Sequence, residues 1–371
     1  MRVLFLTGRE ITYARNEVLL RAFQRFGAID LIAAKKQPAS LLTNSLRVAA
    51  AALPRLLTRS YDLVFIGFYG HLILRLLGNL IRQPILFDAF VSTYDTLSFD
   101  RQQFTPNSLS GKAAFWLDQS TCRRAAHVLL DTTQHVDYFV QTFGLPRTHF
   151  TALPVGCSEA IYHPQPKPSA AHSQFPEQTI VLSYTTFLPL HGMETVLHAA
   201  AQLMTAPIHF RVIGAGPLLP AMQELAATLG LTNLTFAPPV PPTALAQALA
   251  AADICLGGHF GKSEKAGRVV PGKIYQMLAM AKAVIAGDTP ANRALLQQGE
   301  QALLVDPTDP QALAAAILTL HRDPPLRNRL AAQGHQLYQA TCSEAVITQR
   351  LQEVVALVQR SGSKASSTVA Q

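Results

Sequence analysis

Short apolar runs alternate with amphipathic stretches through the first 155 residues. The runs Val3–Thr7, Ala28–Ala33, Tyr61–Phe68, Pro84–Phe90, Ala126–Asp131 and His149–Leu153 are rich in Val, Ile, Leu and Phe. Continuous runs of this kind predict strands covered on both faces, as in parallel sheets flanked by helices. Between them, Asn16–Phe26, Leu72–Ile81 and Ala113–Arg124 read as helices. The pattern breaks over residues 156–178, where four prolines and many small polar residues predict a linker.

The alternation then restarts. Strands are predicted at Thr179–Tyr184, Ile208–Gly214, Leu234–Ala237, Ile254–Gly257 and Ala283–Ala286, with helices at Glu194–Met204, Leu218–Leu229, Thr243–Ala251 and Lys273–Ala281. Pro310–Leu320, Leu326–Gln339 and Glu344–Arg360 continue as helices, and residues 361–371 have the composition of a disordered tail. The expected architecture is α/β, with two Rossmann-like domains facing each other across a cleft. The boundaries are 1–155, a linker at 156–178, a second domain at 179–340, and a helix at 341–360 that packs back on the first domain. Ligands of such sheets bind at the carboxyl ends of strands, which makes the cleft the expected site.

Apolar residues make up 49% of the 371-residue chain and charged residues 15%, enough for two large cores. No apolar run reaches the roughly 18–20 residues that span a bilayer. The opening MRVLFLTGRE meets a charge too soon for a signal peptide, so a cytoplasmic location is expected. Cys122, Cys157, Cys255 and Cys342 are widely spaced and form no metal-ligand pattern, which predicts buried free thiols and no metal site.

The net charge of +8 is concentrated in residues 1–160, which hold 17 Lys and Arg against 11 Asp and Glu. An anionic partner would explain that bias; ordinary solubility would as well. The segment Leu41–Ser60 is apolar, holds three arginines and no acid, and is interrupted by Pro54. Together with His71–Arg82 it suits either a helix at an anionic membrane face or core packing with exposed arginines. Basic residues are not interleaved with aromatics, so a nucleic-acid partner is not expected.

Three stretches of the second half carry candidate chemistry. Tyr184–Gly192 leads from a strand into a helix, where backbone amides favour an anion; Gly192 permits close approach, and His191 is either a phosphate donor or a plain loop residue. Gly214-Ala-Gly216 follows a strand and is either a nucleotide turn or a tight loop. His259–Asp288 combines Gly267 and Gly272 with Lys262, Lys265, Arg268 and Lys273 ahead of a helix, which suits a diphosphate. In the first half, Asp88 ends an apolar strand and His71 follows Gly70 at another, which places both at strand ends where ligands of such sheets bind; Asp88 would equally cap a turn. Arg9, Tyr13, Arg15 and Asn16 follow the first strand and face either a ligand or solvent.

With these motifs in order, the chain resembles the retaining glycosyltransferases of family 4 (the group 1 glycosyltransferases), which have the GT-B fold. The resemblance rests on Thr186–Gly192, Gly214–Pro217, Ala251-Ala-Asp-Ile-Cys-Leu256, Arg268–Ile285 and the linker residues Pro154-Val-Gly-Cys-Ser with Tyr162-His-Pro164. It is looser through Tyr13–Asn16, Gly67–His71 and Phe87–Phe90. Both acids of the family's Glu-x7-Glu element are replaced, by Arg268 and Gln276, and Thr186 and His191 stand where Arg and Lys are usual.

The resemblance implies transfer of a sugar, with retention, from a UDP- or GDP-sugar donor to a glycan or lipid-linked acceptor, in polysaccharide or glycolipid assembly, with no further cofactor. It implies donor contacts from His191, Gly192, Gly214, Lys265, Arg268, Gly272, Lys273 and Gln276, and catalytic roles for Asp88 and His71. The replaced acids also admit a catalytically inactive partner protein that binds nucleotide sugars. Peripheral contact with the inner membrane face through the basic N-terminal domain completes the expectation.

Overall fold

The computed structural model describes residues 1–35, 40–101, 103–167, 177–261 and 263–368, with the backbone alone for 361–368. Lys262, residues 168–176 of the linker and the last three residues of the tail lie outside the described residues. The chain divides into two compact units, Met1–Gly156 with Glu344–Gln371, and Cys157–Ser343.

The first unit is built on a six-stranded parallel sheet of order β2-β1-β3-β4-β5-β6. Its strands are β1 (Arg2–Thr7), β2 (Ala28–Ala33), β3 (Leu63–Ile66), β4 (Ile85–Asp88), β5 (His127–Leu130) and β6 (Phe150–Ala152). The helices are α1 (Ala14–Gln24), α2 (Leu41–Thr58), α3 (His71–Leu77), the short α4 (Thr93–Asp95), α5 (Leu109–Arg124) and α6 (Thr133–Phe143). Strands such as Leu63–Ile66 are buried at every position because both faces are covered. On one face, Val48, Ala52, Ile73, Leu74 and Phe139 pack over the sheet. On the other, Val18, Leu19 and Phe23 of α1 meet Ile347, Leu351 and Val355 of the C-terminal helix α15 (Glu344–Thr368). Glu344 fastens the start of that helix by accepting from Arg21 (3.2 Å) and Arg25 (3.3 Å).

Two expectations are corrected here. Pro54 lies inside α2 without ending it; proline removes one donor, and the helix is held instead by the face it buries through Ser45, Val48, Ala49 and Ala52. The C-terminal helix runs on to Thr368, past Arg360, where the tail was expected to begin. A helix already nucleated on the core extends at little further cost per residue, although Gly362, the four serines of 361–367 and Thr368 favour helix less than alanine does.

The second unit repeats the plan with a parallel sheet of order β12-β11-β10-β7-β8-β9. Its strands are β7 (Thr179–Thr185), β8 (Ile208–Gly214), β9 (Leu234–Ala237), β10 (Ile254–Gly258), β11 (Ala283–Gly287) and β12 (Leu303–Val305). The helices are α7 (Met193–Gln202), α8 (Leu219–Thr228), α9 (Pro242–Ala251), α10 (Glu264–Arg268), α11 (Gly272–Ala279), α12 (Pro290–Leu295), α13 (Pro310–Arg322) and α14 (Pro324–Thr341). The 264–268 stretch, read as loop from its glycines, is a turn of helix capped by Ser263, whose Oγ accepts from Ala266 N–H at 3.1 Å. All four cysteines are buried free thiols. Among the described residues, no helix is long and apolar enough to cross a membrane, and no group of three or more His, Cys, Asp or Glu gathers at metal-binding distance.

Candidate functional site

In each sheet the strand order reverses once, at β1/β3 in the first and at β7/β10 in the second. Ligands of open α/β sheets bind outside the carboxyl ends of strands at such a switch point. In the second unit, His191, Gly192, Lys273 and Gln276, four of the eight residues expected to hold a donor, converge there.

The chain leaves β7, turns over Pro189–His191 and enters α7 through Gly192. The chain leaving β10 runs back against this loop. A Cβ on Gly192, where φ is +61°, would fall 1.9 Å from the Phe260 carbonyl carbon, and one on Gly261 would fall 2.4 Å from the Pro189 oxygen. Both glycines are therefore demanded by backbone-to-backbone approach. Phe260 N–H donates to the His191 carbonyl at 3.3 Å and holds the two loops together.

That framework fixes two imidazoles. The His191 and His259 rings are stacked, with centroids 5.7 Å apart and planes 5° from parallel. Leu188 N–H donates to His191 Nδ1 at 3.3 Å, and the Thr185 hydroxyl lies 2.7 Å from the same nitrogen. An Nδ1 that accepts leaves the proton on Nε2, so His191 is a neutral donor. Burial, followed by the Lys273 charge, holds its pKa down to about 3. His259 is kept neutral by burial first and then by His191, Lys273 and Lys265.

Lys273 follows Gly272 in the first turn of α11. Its Nζ donates to the Tyr184 carbonyl at 3.2 Å and lies 5.8 Å from the centre of the Tyr184 ring. Burial pulls its pKa down to about 8. One turn on, Gln276 Oε1 accepts a short hydrogen bond from the Tyr184 hydroxyl. No side chain caps α7 or α11; apart from Ile274 N–H, which donates to the Pro271 carbonyl at 2.9 Å, first-turn amides, which lack an i−4 partner in the helix, can meet an anion beside Lys273 and His191.

The remaining expected donor residues divide. Gly214 ends β8 with φ +148°, and a Cβ there would lie 1.8 Å from the Thr185 oxygen. This glycine supports the β7 loop from behind, and its requirement is a packing one. Gly272 faces open space, with nothing within 4 Å of a built Cβ. Lys265 and Arg268 lie on α10. Arg268 pairs with Glu264 at 3.3 Å, and the Lys265 charge is felt by His259.

In the first unit, Asp88 is not presented as a reactive group, while His71 lines a small cavity with Tyr69 and Thr93. Asp88 is fully buried and meets the Arg15 guanidinium at 2.8 and 3.1 Å. The other arm of Arg15 donates to the carbonyls of Leu153 (2.6 Å) and Pro154 (2.9 Å). Burial raises the Asp88 pKa, and Arg15 opposes the rise. Asp88 therefore belongs to a structural lock that ties β4 to α1 and the end of β6. His71 is 3% exposed and edge-on to Phe87, with Nε2 3.5 Å from Asp118 Oδ1; burial lowers its pKa.

Arg15 and Asn16 are buried likewise, Asn16 Nδ2 donating to Thr7 Oγ1 at 2.9 Å. Of the residues after β1, only Arg9 and Tyr13 remain as possible contacts. The Arg9 guanidinium lies over the Tyr13 ring at 4.6 Å, and Tyr13 is raised to about 12 by burial. Sequence reasoning gave no role to His259 or to the Tyr184 hydroxyl; both pair with residues brought near only by folding.

Residues 178–323 match the family model described as glycosyl transferases group 1. The chain is 27% identical over 224 residues to D-inositol 3-phosphate glycosyltransferase of Nocardia farcinica, covering 57% of this chain and 47% of that one. The match thus spans about half the length of that curated relative. By structure, the chain resembles HepE of Anabaena, solved in complex with UDP, with a TM-score of 0.73 at 16% identity over 96% of this chain and 100% of that one. It also resembles sucrose-phosphate synthase of Thermosynechococcus elongatus, with a TM-score of 0.76 at 16% identity over 97% and 100%. Residues 178–323 are thus similar to the group 1 glycosyltransferase domain, and the chain has the fold of the solved GT-B glycosyltransferases.

Proposed function

We propose that the protein is a retaining glycosyltransferase of the family 4 type. It moves a sugar from a nucleoside diphosphate donor to a glycan or lipid-linked acceptor, in polysaccharide or glycolipid assembly at the cytoplasmic face of the inner membrane. The observation that carries this reading is the convergence of Lys273, the neutral Nε2–H donor of His191 and two uncapped helix starts at the β7/β10 switch point. Each would act on the diphosphate as it leaves. Charge grows on the leaving oxygens in the transition state, and donors already fixed in place stabilise it without reorganisation. As the acceptor oxygen bonds to the anomeric carbon, the bond from that carbon to the phosphate oxygen breaks, and the acceptor proton passes to the departing phosphate.

Gln276 would accept from or donate to a ribose hydroxyl, a neutral substitute for the family's acid. Arg268 at the other acidic position marks a divergent branch. UDP is the favoured nucleotide, since HepE of Anabaena is also solved with UDP-glucose. No cofactor beyond the donor enters this reading.

The test is thermal stabilisation of the purified chain by UDP, GDP, UDP-glucose and GDP-mannose, followed by NMR of the product's anomeric configuration. A rise in melting temperature with one nucleotide and its sugar, together with a retained anomer, is expected. No stabilisation by any of them would overturn the assignment. The loss of both family acids favours one alternative, a partner protein that binds donor and does not turn it over. Tight binding with no nucleotide release to any acceptor or to water would select it.

A further inference from the structure

The loops that leave β3 and β4 have an unusual backbone. Tyr69 has φ +58° and Phe90 has φ +57°. Residues with a Cβ rarely adopt this left-handed region, and those that do gather at functional sites. Tyr69 is pressed by the chain leaving β1, since a Cβ on Gly8 would fall 2.2 Å from the Tyr69 oxygen. Beyond α4, Thr96–Asp100 forms a π-helical turn, another feature frequent at functional sites. These segments, with α2, α3 and α5, enclose a cavity of about 100 Å³. Its wall is largely apolar through Leu72, Val91, Leu97 and Leu117, and His71 and Thr93 add polar groups.

His71 Nε2 and Asp118 Oδ1 are both buried, and neither has a hydrogen-bond partner among the described residues. They face each other at 3.5 Å, where little of a hydrogen bond remains. The carboxylate cannot turn closer, because its other oxygen accepts from Ser92 Oγ at 2.6 Å and from Tyr94 N–H at 2.9 Å. Edge-on packing against Phe87 holds the imidazole. Burial favours its neutral form, and the carboxylate opposite favours the tautomer with the proton on Nε2. Two fixed, buried polar atoms without partners are costly. An oxygen about 2.8 Å from each would accept from Nε2–H and donate to Oδ1. A hydroxyl does both; a carbonyl only accepts, and an ammonium only donates.

We propose that this cavity binds a small, neutral, mainly apolar alcohol, whose hydroxyl bridges His71 Nε2 and Asp118 Oδ1. An apolar cavity of roughly 150 Å³ takes benzene, so the body of the ligand is no more than a small ring or a short branched chain. A hexose is not of this class, because several of its hydroxyls would be buried against leucine and valine without partners. Every wall residue belongs to the first unit, and the proposal does not rest on the donor site.

Cyclopentanol is titrated into the full chain, beside cyclopentanone, cyclopentanecarboxylate and glucose, and binding is followed by saturation-transfer NMR and calorimetry. Cyclopentanol should bind about ten-fold more tightly than cyclopentanone, which cannot donate to Asp118. Val91→Phe fills the cavity and should abolish binding of both. Asp118→Asn is the selective test. The amide oxygen still accepts from Ser92 and Tyr94, and the amide nitrogen, at the place of Oδ1, now donates. The preference should then pass to cyclopentanone, a reversal that a merely structural Asp118 would not produce. Far-UV circular dichroism checks that each variant folds. If Asp118→Asn does not fold, the two ligands on the unaltered chain and on Val91→Phe still decide.

Equal affinity for alcohol and ketone would overturn the proposal, because the buried pair would then not meet the ligand. No saturable binding, or unchanged binding in Val91→Phe, would overturn it as well. Tighter binding of cyclopentanecarboxylate would make the exposed Arg101 of the wall the anchor and the ligand an anion. Displacement of cyclopentanol by glucose would make the cavity a sugar site. Either of these results also overturns it.

Discussion

His191 and His259 lie face to face, their ring centres 5.7 Å apart, and only one of them offers a defined proton. The Leu188 amide occupies His191 Nδ1, which leaves the proton on Nε2 as a neutral donor. His191→Ala should weaken UDP binding by about 1 kcal/mol, the typical net value of one neutral hydrogen bond. Calorimetry with UDP would measure it. With a pKa near 3, His191 stays neutral throughout pH 5–8, so its contribution should show no inflection near pH 6.5. An inflection there, lost in the His191→Ala variant, would show that the imidazolium is the binding species.

Lys273 supplies the pH dependence instead. Its pKa in the free protein is about 8 because burial disfavours the charge. A diphosphate binds the ammonium form and raises that pKa, so binding takes up a proton when the pH is above 8. Affinity is then flat below pH 7 and falls as pH rises through 8, to about one tenth between pH 7 and 9. Lys273→Arg should flatten the profile, because guanidinium does not titrate in this range. Lys273→Ala should cost about 1–3 kcal/mol of donor affinity. An unchanged affinity for UDP would remove Lys273 from the site.

Tyr184 and Gln276 make the third test. The tyrosine hydroxyl is partly buried and donates to Gln276 Oε1. Gln276→Leu would leave that hydroxyl only the more distant Lys273 carbonyl, at 3.4 Å, as acceptor, at a cost of about 1 kcal/mol in stability, visible in urea unfolding. Gln276→Glu keeps an acceptor at the same place and should fold normally. If the ribose is held as in relatives with an acid here, transfer should persist or rise. Complete loss of transfer in a stably folded Gln276→Glu protein would mean that the ribose pocket has been rebuilt around the amide.

The order of strands and helices was legible because most elements announce themselves locally. Ile254–Leu256 or Ala283–Ile285 is an unbroken apolar run, and such runs become strands covered on both faces. Elements without that local signal went unread. Leu303–Val305 is only a short run, and it is a strand because β11 offers it an edge. Thr133–Phe143 mixes polar and aromatic residues, so its caps, Thr132 and the left-handed Gly144, define it better than its periodicity does. At the candidate site, glycines and cations marked loops that the fold brings to the β7/β10 switch point, since a helix start after a strand is a local feature. Pairings such as Tyr184 with Gln276 and His191 with His259 join positions far apart in sequence. The same gap explains Asp88, whose position at a strand end was readable while its partner, 73 residues earlier, was not.

Arg15 and Asp88 allow a decision between a structural and a catalytic carboxylate. Both side chains have no exposed surface. Removing one charge strands the other in a medium that solvates it poorly. Arg15→Met should therefore lower stability by about 3–5 kcal/mol. Asp88→Asn, which keeps an acceptor, should cost less. The double variant Arg15→Met with Asp88→Leu should recover much of the loss, because an apolar pair of similar volume replaces the ion pair without an orphaned charge. Denaturant unfolding of the three proteins reads this coupling directly. A catalytic Asp88 predicts the opposite pattern: Asp88→Asn would abolish transfer at unchanged stability, and no second substitution at Arg15 would restore anything.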